Sequence, residues 1–378
     1  MGNSAWSYLS AFMVSALFVS ILSLGSCLSP EAKLTSPLEA EEIEMGIKRS
    51  GSGTTWHAAN MEVKTQFEQA YHTANDIRSV FEAHLETLGA EAMLDFLELR
   101  NPRCHGEAHD LGMAISAHSR DIGSALKTCG NRCTNACMHG VVSEVFGSRE
   151  YDEVTKQMGG FCEEGEMAVL HKPGNCAHGI GHALMILTGH DIAQSLAGCA
   201  AFPKPGMDYY CATGVFMEYR GMLRRQETYS EEINRPSLHF PCDTYTQFPA
   251  ACYRYMLRRI GSELDADSQR LIQECQGLVG RQRPGCFHGL GAMYSRTVAK
   301  SPSLLPDLCL WGDSEDQILC IEGVIEKMAD FDEEQAMVVC ATLKGVNSKI
   351  CTAGAREKMY RLNKPTMNLY RENLEGIR

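Results

Sequence analysis

From Met61 onward, apolar positions recur at the three- and four-residue spacing of amphipathic helices. EVKTQFEQAYHTANDIRSVFEAHLETL holds this period as one helix from Glu62, and GAEAMLDFLELR continues as a second that Asn101-Pro102 ends. Strand signals are nearly absent, with no extended period-two run and no Asn-Gly or Asp-Gly turn between alternating segments. The pattern therefore predicts an all-α protein.

Beyond Pro102 the chain repeats itself. A cysteine is followed two residues on by a polar residue and then by glycine, as in Cys137-Met-His139-Gly140, Cys176-Ala-His178-Gly179, Cys211-Ala-Thr213-Gly214 and Cys286-Phe-His288-Gly289. Cys320-Ile-Glu322-Gly323 and Cys351-Thr-Ala353-Gly354 continue the series, Cys104-His105-Gly106 opens it one residue short, and Cys252-Tyr-Arg254-Tyr255 loses the glycine. Steps of 31–41 residues between these cysteines are those of stacked two-helix units. The expected architecture is about eight helical hairpins, arranged as a closed α/α toroid-like ring or as a solenoid. Closure is preferred, because the terminal repeats lack strongly polar caps.

A second cysteine precedes most of these at a near-constant interval: Cys162 before Cys176, Cys199 before Cys211, Cys242 before Cys252, Cys275 before Cys286, Cys309 before Cys320 and Cys340 before Cys351. The leading cysteine closes an amphipathic helix, as in HDIAQSLAGC and DEEQAMVVC, and the following one opens the next. A bridge between them clamps each hairpin. For Cys104, Cys129, Cys133 and Cys137 three pairings are possible, and Cys129–Cys137 with Cys104–Cys133 is favoured.

Paired cysteines imply an oxidising compartment, and the N-terminus agrees. Residues 5–26 carry no charge and run into Cys27. Leu24-Gly25-Ser26-Cys27 resembles a bacterial lipobox, which would make Cys27 a lipidation site, although Met1–Ser4 lacks the usual basic residue; an uncleaved signal anchor is the alternative. Either way the body of the protein is expected to be periplasmic or extracellular and membrane-tethered. The expected organisation is a signal or anchor at 1–27, a polar linker at 28–60, the helical repeat domain at 61–365 and a tail at 366–378. A net charge of −12 argues against a nucleic-acid partner.

The register also places chemistry. The residue two positions after the cysteine falls at one equivalent place in every unit: His139, His178, Thr213, Arg254, His288, Glu322 and Ala353, with His105 in that role in the first unit. One helical turn later stand His109, His182, Arg258 and Glu326. His105 with His109, and His178 with His182, form HxxxH pairs, the spacing that brings two imidazoles onto one ion. The candidate metal ligands are thus His105, His109, His139, His178, His182 and His288, for a zinc, iron, manganese or copper ion. Glu144 and Glu218 are candidate catalytic bases, and Arg254 and Arg258 candidate substrate-binding groups. The recurring glycines imply either helices crowded against one another or something held close to their backbone. A polar pocket without metal, or packing alone, are the competing readings of the register. His57, His72, His84, His118, His190 and His239 lie outside it, and His171 is intermediate.

RCHGEAHDLG resembles the Cys-His-Gly motif of lanthionine synthetase cyclases, whose fold is a double ring of helices around zinc. The likeness covers a few residues per repeat and implies a closed helical ring; no activity is carried over, since those enzymes ligate zinc through free cysteines. CxxCH, HExxH, P-loop and GxSxG motifs are absent. Two functions remain: a metal-binding protein, extending to a metal-dependent enzyme, or a disulfide-stapled scaffold that binds a small molecule or peptide on its concave face.

Overall fold

A computed structural model describes residues 53–101, 104–119, 121–204, 206–228, 237–265, 267–329 and 332–357. The expected signal or anchor with Cys27, the linker up to residue 52 and the 366–378 tail lie outside the described residues. Among those described, every regular element is helical and no strand occurs. None of these helices is long and apolar enough to cross a membrane.

Four helices precede the repeat: α1 (Thr54–Ala58), α2 (Met61–Thr73), α3 (Ile77–Leu88) and α4 (Ala90–Arg100). The single helix expected from Glu62 to Leu88 is two. The Asp76 side chain accepts from the Arg78 amide and starts α3 afresh, as an N-cap does. α1 lies inside the segment read as linker, and it is anchored there: Trp56 is buried, its ring 4.8 Å from Phe96 and 6.0 Å from Phe67.

The repeat follows as α5 (His105–His118), α6 (Ile122–Cys129), α7 (Ala136–Gly147), α8 (Tyr151–Glu163), α9 (Gly165–Leu170), α10 (Pro173–Leu187), α11 (Ile192–Cys199), α12 (Met207–Thr228), α13 (Pro249–Glu263), α14 (Ser268–Gly277), α15 (Gln282–Lys300), α16 (Leu304–Cys309), α17 (Ser314–Ala329), α18 (Glu333–Cys340) and α19 (Gly345–Glu357). The longer helices α5, α7, α10, α12, α13, α15, α17 and α19 each pack against the next in that order. The short helices α6, α11, α14, α16 and α18 each pack on the long helix that follows. Asp121, Asp191, Asp267 and Asp332 cap α6, α11, α14 and α18 by accepting backbone amides. Each cap contributes about 1 kcal/mol.

Eight disulfides link this framework. Cys104–Cys133 and Cys129–Cys137 form as favoured, and the other six pair as their spacing predicts, with Cα–Cα separations of 5.1–5.6 Å across the set. All sixteen cysteines are buried. Apart from α5, which follows Cys104 directly, the long helices begin earlier than the cysteines that mark them. Pro173 and Pro249 stand at the starts of α10 and α13, where a missing amide proton costs nothing, so the cysteine falls at the end of the first turn.

Crowding explains the register glycines Gly140, Gly214 and Gly323. A Cβ on Gly140 would lie 2.0 Å from the His109 carbonyl oxygen, and one on Gly112 would lie 2.0 Å from that of Cys137. Gly181 and Gly214 face each other in the same reciprocal way, meeting the carbonyls of Cys211 and His178, as do Gly291 and Gly323 with Cys320 and His288. So α5 with α7, α10 with α12, and α15 with α17 cross with their backbones in contact, and only glycine permits it.

Candidate metal centre

Three helices supply five of the six expected imidazoles to one cluster. His105 and His109 come from α5, His139 from α7, and His178 and His182 from α10. Ring centroids stand 4.7 Å apart for His109 and His182, 4.8 Å for His139 and His178, and 5.4 Å for His109 and His139. Two triads, His105–His109–His139 and His139–His178–His182, offer nitrogens that lie within 4.8 Å of one another in each set. His139, His178 and His182 are buried, while His105 and His109 are half-buried and lie nearer solvent.

The outer nitrogens of these rings have specific partners. His182 Nδ1 stands 2.9 Å from Glu218 Oε2, and a carboxylate accepts, so Nδ1 carries the proton. His178 Nδ1 stands 2.7 Å from Thr213 Oγ1, whose own proton is committed to the Tyr210 carbonyl at 2.5 Å. The hydroxyl must therefore accept from His178 Nδ1. With both rings neutral, the two Nε2 atoms then present lone pairs, and they face each other at 3.2 Å. Such a contact is repulsive unless a proton or a metal ion lies between. On α5 the same arrangement recurs, with His105 Nδ1 2.7 Å from Thr134 Oγ1 and the Nε2 atoms of His105 and His109 3.3 Å apart.

Burial foremost, with repulsion from neighbouring imidazoles behind it, pushes His109, His139 and His178 well below the ordinary histidine value. They are neutral at pH 7, the form that ligates metals. Two nitrogens bound to one zinc at 2.0–2.1 Å in tetrahedral geometry stand roughly 3.3 Å apart, which is the spacing of both Nε2 pairs. Thr134, Thr213 and Glu218 occupy the place of the outer partners that fix ligand rings in metal sites.

Thr134 owes its position to a strained segment. Cys133, Thr134 and Asn135 all adopt left-handed backbone, with φ of 48°, 59° and 66°, a conformation that costs roughly 1 kcal/mol or more at a non-glycine residue. A buried ion network holds it. Arg132 pairs with Asp95 at 2.7 Å and Glu98 at 2.9 Å, the Cys133 amide donates to Glu98, and Asp95 also accepts the amides of Thr55 and Trp56. The N-terminal helices thus lock the turn that presents Thr134 to His105.

The remaining expected site residues hold partners of their own. Glu144 is held by Arg78 through two hydrogen bonds of 3.0 and 3.1 Å rather than facing the histidines. Glu218 meets the cluster, but as the orienting partner of His182. His288, fully buried, stands 3.1 Å from Glu326, which Arg254 also engages at 2.6 Å, and its ring neighbour is Tyr209. The sixth imidazole therefore belongs to a second polar network. Burial would raise the Glu326 carboxyl, but Arg254 and His288 more than offset this and hold it at about 2. Arg254 is committed to that carboxylate, and Arg258, one turn on, is half-buried. Tyr255, 6.3 Å from the His178 ring, lies where the two networks adjoin.

Glu98, Cys104 and Cys133 also cluster closely, but both sulfurs are spent in a disulfide and cannot serve as thiolate ligands. The chain matches no protein-family model, no curated protein and no solved structure.

Proposed function

We propose that this is an exported, membrane-tethered protein that binds a transition metal through the five histidines gathered by α5, α7 and α10, within the hollow of a closed or solenoidal row of helices. The observation that carries the reading is the pair of tautomer-fixed imidazoles, His178 and His182, whose Nε2 lone pairs converge at 3.2 Å in a buried site. An all-imidazole set suits zinc or copper, with iron next, and manganese least because no carboxylate oxygen joins the ligands. The eight disulfides support an oxidising, extracytoplasmic setting, and the uncharged stretch ending at Cys27 supports tethering by lipid or anchor.

Support for an enzyme is thinner. Both carboxylates expected to act as general base already hold partners, Glu144 with Arg78 and Glu218 with His182. Metal holding, storage or delivery asks less of the site than hydrolysis and is the reading adopted. The half-buried His105 and His109 mark the side from which an ion enters.

The test is element analysis of the purified, oxidised chain after zinc loading and removal of loosely held ion. The reading predicts stoichiometric zinc that is lost from a His178→Ala/His182→Ala variant whose helicity and disulfides persist. Zinc-free wild-type protein, with a melting temperature indifferent to chelator, would overturn it and leave the metal-free scaffold.

A further inference from the structure

We infer that the five-histidine centre holds two metal ions, with His139 shared between them as a bridging imidazolate. The inference rests on the metal-binding reading above and deepens it. His139 is the member common to both ligand triads, His105–His109–His139 and His139–His178–His182. It is also the one histidine of the five whose two ring nitrogens are both buried and without a hydrogen-bond partner. Leaving two buried polar nitrogens unsatisfied costs roughly 1–3 kcal/mol each, and most buried side-chain polar atoms have a partner; His171 and His288 share this state, His288 apart from its contact with Glu326, but neither belongs to a ligand triad. Its four neighbours differ in this respect: His105, His178 and His182 each direct Nδ1 at Thr134, Thr213 or Glu218, and His109 Nε2 meets His105 Nε2.

Two imidazole pairs stand beside His139. α5 offers the His105 and His109 Nε2 atoms 3.3 Å apart, and α10 offers those of His178 and His182 at 3.2 Å; the two pairs adjoin, with the His109 and His182 rings 4.7 Å apart. Each pair has the separation of two ligands on one ion, and a single imidazole with two open nitrogens supplies the third ligand to both. The backbone makes room for this ring. Gly179 faces it, and a Cβ there would sit 3.4 Å from the His139 ring carbon Cδ2 and 3.3 Å from Val142 Cβ.

The chemistry balances without a redox partner. The first ion takes the lone pair of one His139 nitrogen; the second displaces the proton from the other nitrogen, which leaves to solvent, and a metal–nitrogen bond replaces the N–H bond. The negative charge on the bridge, together with Glu218 behind His182, offsets part of the charge of the second ion in a buried site.

Copper(II) is the probe, because two copper ions joined by an imidazolate couple antiferromagnetically. The full oxidised chain is loaded with copper(II), loosely bound ion is removed in glycine buffer, copper per chain is measured, and electron paramagnetic resonance spins are counted at low temperature. The expected result is two coppers per chain with a spin count far below the copper content, rising to match it in a His139→Gln variant. The wild-type spin count stands even if that variant fails to fold. One copper per chain, or two with a full spin count in the wild type, would overturn the bridge while leaving metal binding intact. No retained copper would overturn the metal-binding reading as well.

Discussion

Replacing Gly214 by alanine should damage the protein far more than the same change at Gly106, although both glycines directly follow the motif's polar residue. At Gly214 the new Cβ would lie 2.0 Å from the His178 carbonyl oxygen and 3.0 Å from Gly181 Cα, both backbone atoms of α10. Ordinary contact requires about 3.4 Å or more, so α10 and α12 must separate by more than about 1 Å. Overpacking of this kind costs about 1–3 kcal/mol, and the upper end applies because neither side is a flexible side chain. The separation also breaks the 2.7 Å bond between His178 and Thr213, for roughly another 1 kcal/mol. Alanine returns at most about 1 kcal/mol of helix propensity. The net expectation is a loss of about 2–3 kcal/mol. At Gly106 nothing lies within 4 Å of an added Cβ, so the propensity gain stands alone and stability is unchanged or raised by up to about 1 kcal/mol. Denaturant unfolding of the oxidised proteins, followed by far-ultraviolet circular dichroism, measures both. A Gly214→Ala protein as stable as the parent would refute the backbone-contact account of the repeat.

Thr134→Val and Thr213→Val should each weaken zinc binding about 10–100-fold while leaving the fold intact, since each removes the partner that orients a ligand ring; competition with a chromophoric chelator reads this, and unchanged affinity in both would contradict the assigned orienting roles. Arg132→Met leaves Asp95 and Glu98 buried without their cation and should cost about 3–5 kcal/mol, measured by denaturant unfolding. Glu326, held at about 2 in the fold against an ordinary 4.5, binds fewer protons folded than unfolded. Its contribution, on the order of 3 kcal/mol, is present in full above about pH 5 and is lost as pH falls from 4.5 toward 2; the stability difference between wild type and Glu326→Gln should shrink over that window, and a difference flat with pH would contradict the pairing. Removing one staple by Cys199→Ser/Cys211→Ser should cost about 3 kcal/mol on the chain-entropy account, again read by unfolding, with no loss pointing instead to a structured unfolded state.

The parts of the fold visible in the sequence were those fixed by covalent spacing. Cysteine intervals predicted six of the eight disulfides, and of the three pairings open to Cys104, Cys129, Cys133 and Cys137 the favoured one forms; the repeat register marked the histidines that the helices bring to comparable positions. Register is not azimuth, however. His288 has the same register as His178, yet it meets Glu326, Arg254 and Tyr209; the alanine at 292, where α5 and α10 carry a second histidine, was the available sign that α15 offers no HxxxH pair. The Arg78 partner of Glu144 is not legible from the repeat, because it lies on a helix outside it. Thr134 was unreadable, since its left-handed backbone is imposed by Arg132 and the carboxylates of α4. The break before α3 carried a local signal, Asp76 as an N-cap, that the continuous apolar period masked.

The central claim is that histidine nitrogens, and no sulfur, hold the metal. X-ray absorption fine structure on the zinc-loaded, oxidised protein tests it most directly. The account predicts a first shell of nitrogen or oxygen alone at about 2.0–2.1 Å, with outer-shell scattering from at least three imidazoles per zinc; a sulfur shell at about 2.3 Å would contradict it and place the ion on cysteines released from their bridges.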